Sequence, residues 1–374
     1  MIDGHDLVWS GASGHGHCRY AAVEPIAGPG KLAWSSRALA NETVKNDDDD
    51  RGGRDALCAS SSGIALWRKR ADRGYALTVL NLDTGARIWD TFGGAPFSLY
   101  LGTAALWVTT DFGVMGFAQR LADAPGRTAD GKPEVTIFPN RDAAVANGHL
   151  RIVPIGNELS PIDLGAGIEV ALPTTHRGPG KIAIGPGYAA IAGPLPFGQT
   201  EWESAGPYVD VIAARDRVWV AIDDDCMAID LQGVGRARVR GKLRMADARG
   251  AFVDTGRGMQ LFDPSGEPGP EFPRCTAGAM SPEHVVVYET YEGPDKLRIR
   301  LVVCDRATGA RVAELPMGTV AMVAGGTIYS AAGTRVVAWP EGKTIEIGAE
   351  IDRLTPVDGG LVVRTPRGDV LLFS

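Results

Sequence analysis

Apolar and polar residues alternate with period two through most of this chain, and the clearest stretch is Ala76 to Trp89, ALTVLNLDTGARIW. An apolar strand runs into Asp83-Thr84-Gly85, a tight turn, and a second short strand ends on Trp89. The same order recurs along the chain. Val218–Ile222 and Cys226–Asp230 lead to a turn with Gly233, and Ala251–Asp254 and Met259–Asp263 lead to Pro264-Ser265-Gly266. Arg298–Cys304 leads to Asp305-Arg306-Ala307-Thr308-Gly309, and Arg335–Trp339 to Glu341-Gly342-Lys343. Longer apolar runs, Leu57–Trp67, Leu99–Thr109 and Ala143–Ile155, read as single strands. A period of two predicts half-buried strands. With no convincing helical period anywhere, the chain reads as all-β.

The spacing of the turns predicts the architecture. Taking Asp83, Gln119, Asp163, Asp230, Asp263, Asp305, Pro340 and Ser374 as the ends of successive inner pairs, the gaps are 36, 44, 67, 33, 42, 35 and 34 residues. Six of them match the period of a four-stranded propeller blade. This predicts a single domain over 1–374 of about eight four-stranded blades, seven or nine being compatible. The long gap spans 174–206, Gly/Pro-rich and readable as an insertion or a degenerate blade. The N-terminal segment, 1–55, holds a predicted strand near 31–39 and an acidic loop, 41–55. The chain ends at Phe373-Ser374, one strand short of a full blade, so Lys31–Leu39 is expected to supply the missing outer strand and close the ring.

Composition agrees and narrows the function. Forty-nine glycines and 24 prolines suit short strands joined by turns. The net charge of −7 and the lack of a basic block argue against a nucleic-acid groove. Arg236–Arg244 is the densest basic run, and its alternation reads as the solvent face of a strand. No apolar run approaches the roughly 20 residues of a membrane span. The N-terminus has no basic and apolar leader pattern, so a cytoplasmic location is expected. Five cysteines without a CxxC read as reduced thiols.

Asn81–Trp89, NLDTGARIW, and Cys304–Val312, CDRATGARV, resemble the repeat of pyrroloquinoline-quinone (PQQ) type propellers, in which a Thr-Gly turn separates two strands and a Trp follows. Trp9, Gly11–Cys18, Pro29 and Trp34 resemble the opening of such proteins. The resemblance implies a WD-like propeller in which Asp83, Thr84, Gly85, Asp305, Thr308 and Gly309 build turns and Trp89 wedges between blades. Quinone-dependent members carry adjacent cysteines and a calcium site. This chain has neither pattern, so the non-enzymatic, bacterial branch is the nearer kin and no cofactor is expected.

Candidate chemistry is sparse. His15, His17 and Cys18 are zinc-ligand types, but no partner cluster stands at a recognisable spacing, so no metal site is expected. The four aspartates Asp47–Asp50 lack the alternation of an EF-hand, and Asp223-Asp224-Asp225 reads as a charged turn. No GxSxG or GxxxxGK[ST] occurs, so no catalytic residue is assigned. The aromatics of the long gap, Tyr188, Phe197, Trp202 and Tyr208, either pack on the blades or form a partner-binding surface. The expectation is a protein–protein interaction scaffold, a subunit of a larger complex. The alternative is an enzyme using the central channel, a quinone-type oxidoreductase or a metal-dependent hydrolase of the lactonase kind.

Overall fold

The structure is a computed structural model. It describes residues 20–21, 26 and 30–36, the strands between 56 and 193 with the turn at 81–86, and, apart from short gaps, 211–374. Among the described residues the strands form eight sheets. The first covers 56–93, the second 96–137, the third 148–193, the fourth 211–240, the fifth 242–273 and the sixth 275–315. The seventh covers 320–346 and the eighth 353–373, each with an added N-terminal strand. Most are simple antiparallel meanders. Turns one and three of a meander therefore open on one face, the turn face, while turn two and the link to the next sheet open on the other, the link face.

Among the described residues, apolar side chains of the first and of the fourth to eighth sheets fill the spaces between neighbouring sheets. Trp219, Phe252, Met259, Val286 and Val303, all buried, belong to one continuous core running from the fourth sheet to the seventh. Ile64, Leu66 and Leu80 of the first sheet pack against Val357, Val362, Val370 and Leu372 of the eighth. In the inner strand Cys275–Met280 the second half, Gly278–Met280, is buried on both faces, and there the residues do not alternate.

Two of the three runs read as single strands each hold two, while Ala143–Ile155 holds the one strand Gly148–Pro154. Leu57–Trp67 is a hairpin of Ala56–Ser60 and Gly63–Arg70, and Leu99–Thr109 divides into Pro96–Leu101 and Ala105–Thr110. Part of the long gap belongs to the third sheet. Lys181–Gly185 and Tyr188–Gly193 are the inner two strands of the third sheet, and the earlier Gly148–Pro154 and Ile168–Leu172 are its outer two. Pairing of Ile152 with Ala190 joins the two halves in this permuted order.

The N-terminal segment contributes at three places. Tyr20–Ala21 lies parallel to Val320–Ala324 on the inner edge of the seventh sheet. Ile26 is buried between the seventh and eighth sheets, and its N–H donates to the Tyr329 hydroxyl at 3.0 Å. Leu32–Ser36 is the outer strand of the eighth sheet, antiparallel to Val370–Phe373, with Lys31 and Ser374 exchanging both backbone bonds.

Candidate functional site

One turn chemistry repeats around the molecule. At the end of the third strand, an Asn or Asp oxygen accepts backbone N–H groups of the following turn. Asn81 Oδ1 takes the N–H groups of Asp83 (3.0 Å) and Thr84 (2.9 Å) and the Thr84 hydroxyl (3.0 Å). Asp305 Oδ1 takes the Thr308 N–H and hydroxyl, both at 2.7 Å. Asp230 and Asp263 act in the same way. Thr84 and Thr308 each accept the N–H two residues on, at 3.2 Å, which gives the Thr its place in both motifs. Asn81, rather than Asp83, is thus the counterpart of Asp305; Asp83 is exposed at the turn tip.

The turn glycines are close-contact points between neighbouring sheets. A Cβ on Gly85 (φ +65) would lie 2.4 Å from the Trp34 ring, and one on Gly309 (φ +73) 2.9 Å from Pro270. Gly30 (φ +67), just before the outer strand of the eighth sheet, meets Ile345 in the same way at 2.9 Å. Trp34 also donates its indole N–H to Leu82 O at 2.7 Å. The aromatic on the turn of the first sheet is therefore Trp34. Trp89 pairs with Val79, and its side chain lies outside the described residues.

Between the fifth and sixth sheets the turn face opens into a groove of about 540 Å³. Pro268, Pro270 and Pro282 wall it, with Leu261 and Phe262 beneath, and Asp263, Glu267, Glu283 and Asp305 rim it. Its base is fastened by a buried ion pair. Arg306 meets Asp247 with both guanidinium nitrogens, at 2.5 and 2.8 Å, and donates to Ser281 O at 2.9 Å. Asp247 Oδ1 also accepts the N–H groups of Arg249 (2.8 Å) and Gly250 (3.0 Å), and its carbonyl takes the Trp219 indole at 3.1 Å. Each buried charge is thus met by several hydrogen bonds, the condition under which such a pair persists. On the rim, the Ser265 hydroxyl holds the Asp263 carboxyl below its ordinary pKa, and Thr308 does the same for Asp305. Both stay anionic at neutral pH. Arg249, tied to Pro282 O at 2.9 Å, offsets only one of the four carboxylates.

The other predicted positions fall elsewhere. Tyr188 is buried, its hydroxyl donating to the carbonyls of Ala214 and, at 2.8 Å, Arg217. It clamps the third sheet to the fourth and is no partner contact, because its ring is covered. Phe197, Trp202, Tyr208, His15, His17 and Cys18 lie outside the described residues, as does the acidic loop. Burial raises the thiol of Cys226 to about 12 and that of Cys275 to about 11, and raises Cys304 as well, so these are poor nucleophiles at neutral pH. No group of three or more metal-ligating side chains occurs among the described residues. The sequence reading missed the groove. Its acids and prolines lie in separate turns that only the packing of two sheets brings together.

Successive four-stranded antiparallel sheets, packed face to face with short turns on both faces, define a β-propeller. No family model and no curated protein matches the chain. Among solved structures it is similar to the WD40 domain of Pan2 from Neurospora crassa, at 8% identity over 94% of this chain and 97% of that one, TM-score 0.47. It is similar to BamB from Moraxella catarrhalis at 15% identity over 87% and 80%, TM-score 0.36. A third is apo AztD from Citrobacter koseri, at 12% identity over 70% and 85%, TM-score 0.38. At such identities the assignment rests on the strand topology itself.

Proposed function

We propose that the chain is a non-catalytic, PQQ-like propeller of eight blades, closed by the Leu32–Ser36 strand, that serves as a protein–protein interaction scaffold in a larger bacterial, cytoplasmic complex. The observation that carries this reading is the turn-face groove. It is open, walled by three prolines, rimmed by four carboxylates and braced by the Arg306–Asp247 pair. Rigid turns hold its side chains in place, so a partner meets a surface that costs little to order. An apolar floor with an acidic rim suits a segment of another protein that carries basic side chains.

The test is affinity purification of the full chain from its native host, compared with Glu267→Arg/Glu283→Arg, alongside metal and cofactor analysis of the purified protein. A specific partner that is kept by the wild type and lost by the double variant is expected. Stoichiometric metal or quinone, or a partner indifferent to the charge reversal, would overturn the reading.

A further inference from the structure

The link face of the fourth to sixth sheets is the chemical opposite of the groove. Three consecutive loops there present cations. Arg240 and Lys242 flank Gly241 in the link from the fourth sheet to the fifth, Arg257 lies in the middle turn of the fifth, and Arg274 is the link from the fifth to the sixth. All four are exposed, and among the described residues none has an ion-pair partner. Lys242 stands across from Asp254, but that carboxylate is held by Arg244 at 2.7 Å.

Arg274 is the only non-glycine with positive φ (+58) among the described residues. The corresponding link one sheet earlier uses Gly241 (φ +136), which needs no such compromise. Two backbone bonds fix Arg274 in this conformation: its N–H donates to Arg257 O at 3.2 Å, and its carbonyl accepts the Thr290 N–H at 3.2 Å. A disfavoured backbone thus fastens the Arg274 loop to the Arg257 loop, so that two exposed arginines stand on hydrogen-bonded neighbouring loops. Such an arrangement is stabilised by an anion that bridges the two.

Beside this pair rises the longest hairpin described, His284–Glu292 with Leu297–Asp305. Near its tip Leu297 and Ile299 are exposed (68% and 48%) on one side of the strand; Arg298 is exposed on the other, where Arg300 is paired with Glu289 at 2.5 Å and stacks over Tyr291 at 4.9 Å. The surface therefore joins cations to an apolar ledge.

We propose that this link-face arc binds an acidic, partly apolar peptide segment of a partner protein. It rests on the reading of the molecule as an interaction module, but uses the face opposite the groove. Exposed Asp224, Glu271 and Glu292 interrupt the cationic row, which would repel a continuous phosphate backbone but leaves room for a few spaced carboxylates. Leucine-type side chains between those carboxylates would lie on Leu297 and Ile299.

The test is fluorescence anisotropy of the full chain with a labelled ten-residue peptide of alternating glutamate and leucine. The controls are the same peptide with lysine for glutamate and a short labelled single-stranded DNA. The glutamate peptide is expected to bind, to weaken as salt rises, and to lose at least about fivefold in affinity in Arg257→Glu/Arg274→Glu. Arg367→Glu and the groove variant Glu267→Arg/Glu283→Arg should bind as the wild type does, which separates failure here from failure of the groove. Arg274→Gly relaxes the backbone, so it should fold at least as stably and still bind less well. No binding of the glutamate peptide, unchanged affinity in the double variant, or tighter binding of the DNA would each overturn the proposal.

Discussion

Gly85 and Trp34 are separated by 51 positions and belong to two neighbouring sheets, yet the indole ring lies where a Gly85 Cβ would stand, 2.4 Å away. Gly85→Ala should therefore carry two penalties. A β-carbon in the left-handed region costs about 1 kcal/mol, and forcing the ring aside about 2 kcal/mol more. Trp34→Ala alone removes a half-buried ring and its hydrogen bond to Leu82 O. It should cost about 3 kcal/mol, the low end for a large aromatic. In the double variant the ring is gone and only the backbone penalty of Gly85→Ala remains, about 1 kcal/mol. The cycle should then close with a coupling of about 2 kcal/mol, well beyond the ~0.5 kcal/mol scatter of independent sites. Equilibrium denaturation followed by circular dichroism measures all four proteins. Additivity within that scatter would show that the N-terminal strand does not pack on the first sheet, and the proposed ring closure would fall with it.

Further outcomes follow from the same contacts. Deleting the residues before about Asn41 should abolish cooperative unfolding, since Ile26, Trp34 and Leu32–Ser36 would all be lost; a truncated chain with a sharp transition would contradict closure. Arg306→Met should cost about 3–5 kcal/mol by stranding the Asp247 carboxylate, and adding Asp247→Leu should recover part of it in the same denaturation assay. Tyr188→Phe should lose about 1–2 kcal/mol while leaving partner capture unchanged, because the hydroxyl serves the third and fourth sheets. The carboxyls of Asp263 and Asp305 titrate below their unfolded values, so their stabilising contribution is complete above about pH 4 and is lost as pH falls through the lowered values. Asp263→Asn/Asp305→Asn should flatten the acid limb of a melting-temperature profile yet keep both turns, as Asn81 does naturally. Cys226 should resist iodoacetamide at pH 8 until denaturant is added, checked by peptide mass spectrometry.

The sequence announced its third strands and the turns after them, because these carry both the alternation and a turn glycine, preceded at Asn81 and Asp305 by an Asx and a Thr. Cys226–Asp230, Arg335–Trp339 and the turn at Asp305 sit where the pattern placed them. It concealed the innermost strands. Cys275–Met280, CTAGAM, is rich in small residues, and its second half, Gly278–Met280, is buried on both faces, which weakens the alternation. It also concealed the permuted third sheet, since no local signal tells a chain that its outer hairpin comes first. Tyr188 looked like an exposed loop aromatic because its acceptors, Ala214 O and Arg217 O, are backbone groups of another sheet. The groove was illegible for a related reason. Glu267, Glu283 and Asp305 belong to three different turns, each ordinary on its own. Arg236–Arg244, read as the solvent face of one strand, is divided at Gly241 between the last strand of the fourth sheet and the first of the fifth, with Arg238, Arg240 and Lys242 exposed and Val239 and Leu243 buried. What the pattern could not show was Arg257 and Arg274 arriving beside it from other loops.

Photo-crosslinking in the native host tests the scaffold reading most directly. With benzoylphenylalanine in place of Glu267 or Glu283 on the groove, and of Arg367 as an exposed control, irradiation should yield one discrete protein adduct from the groove positions and none from the control. No adduct from either groove position, or the same adducts from all three, would contradict it.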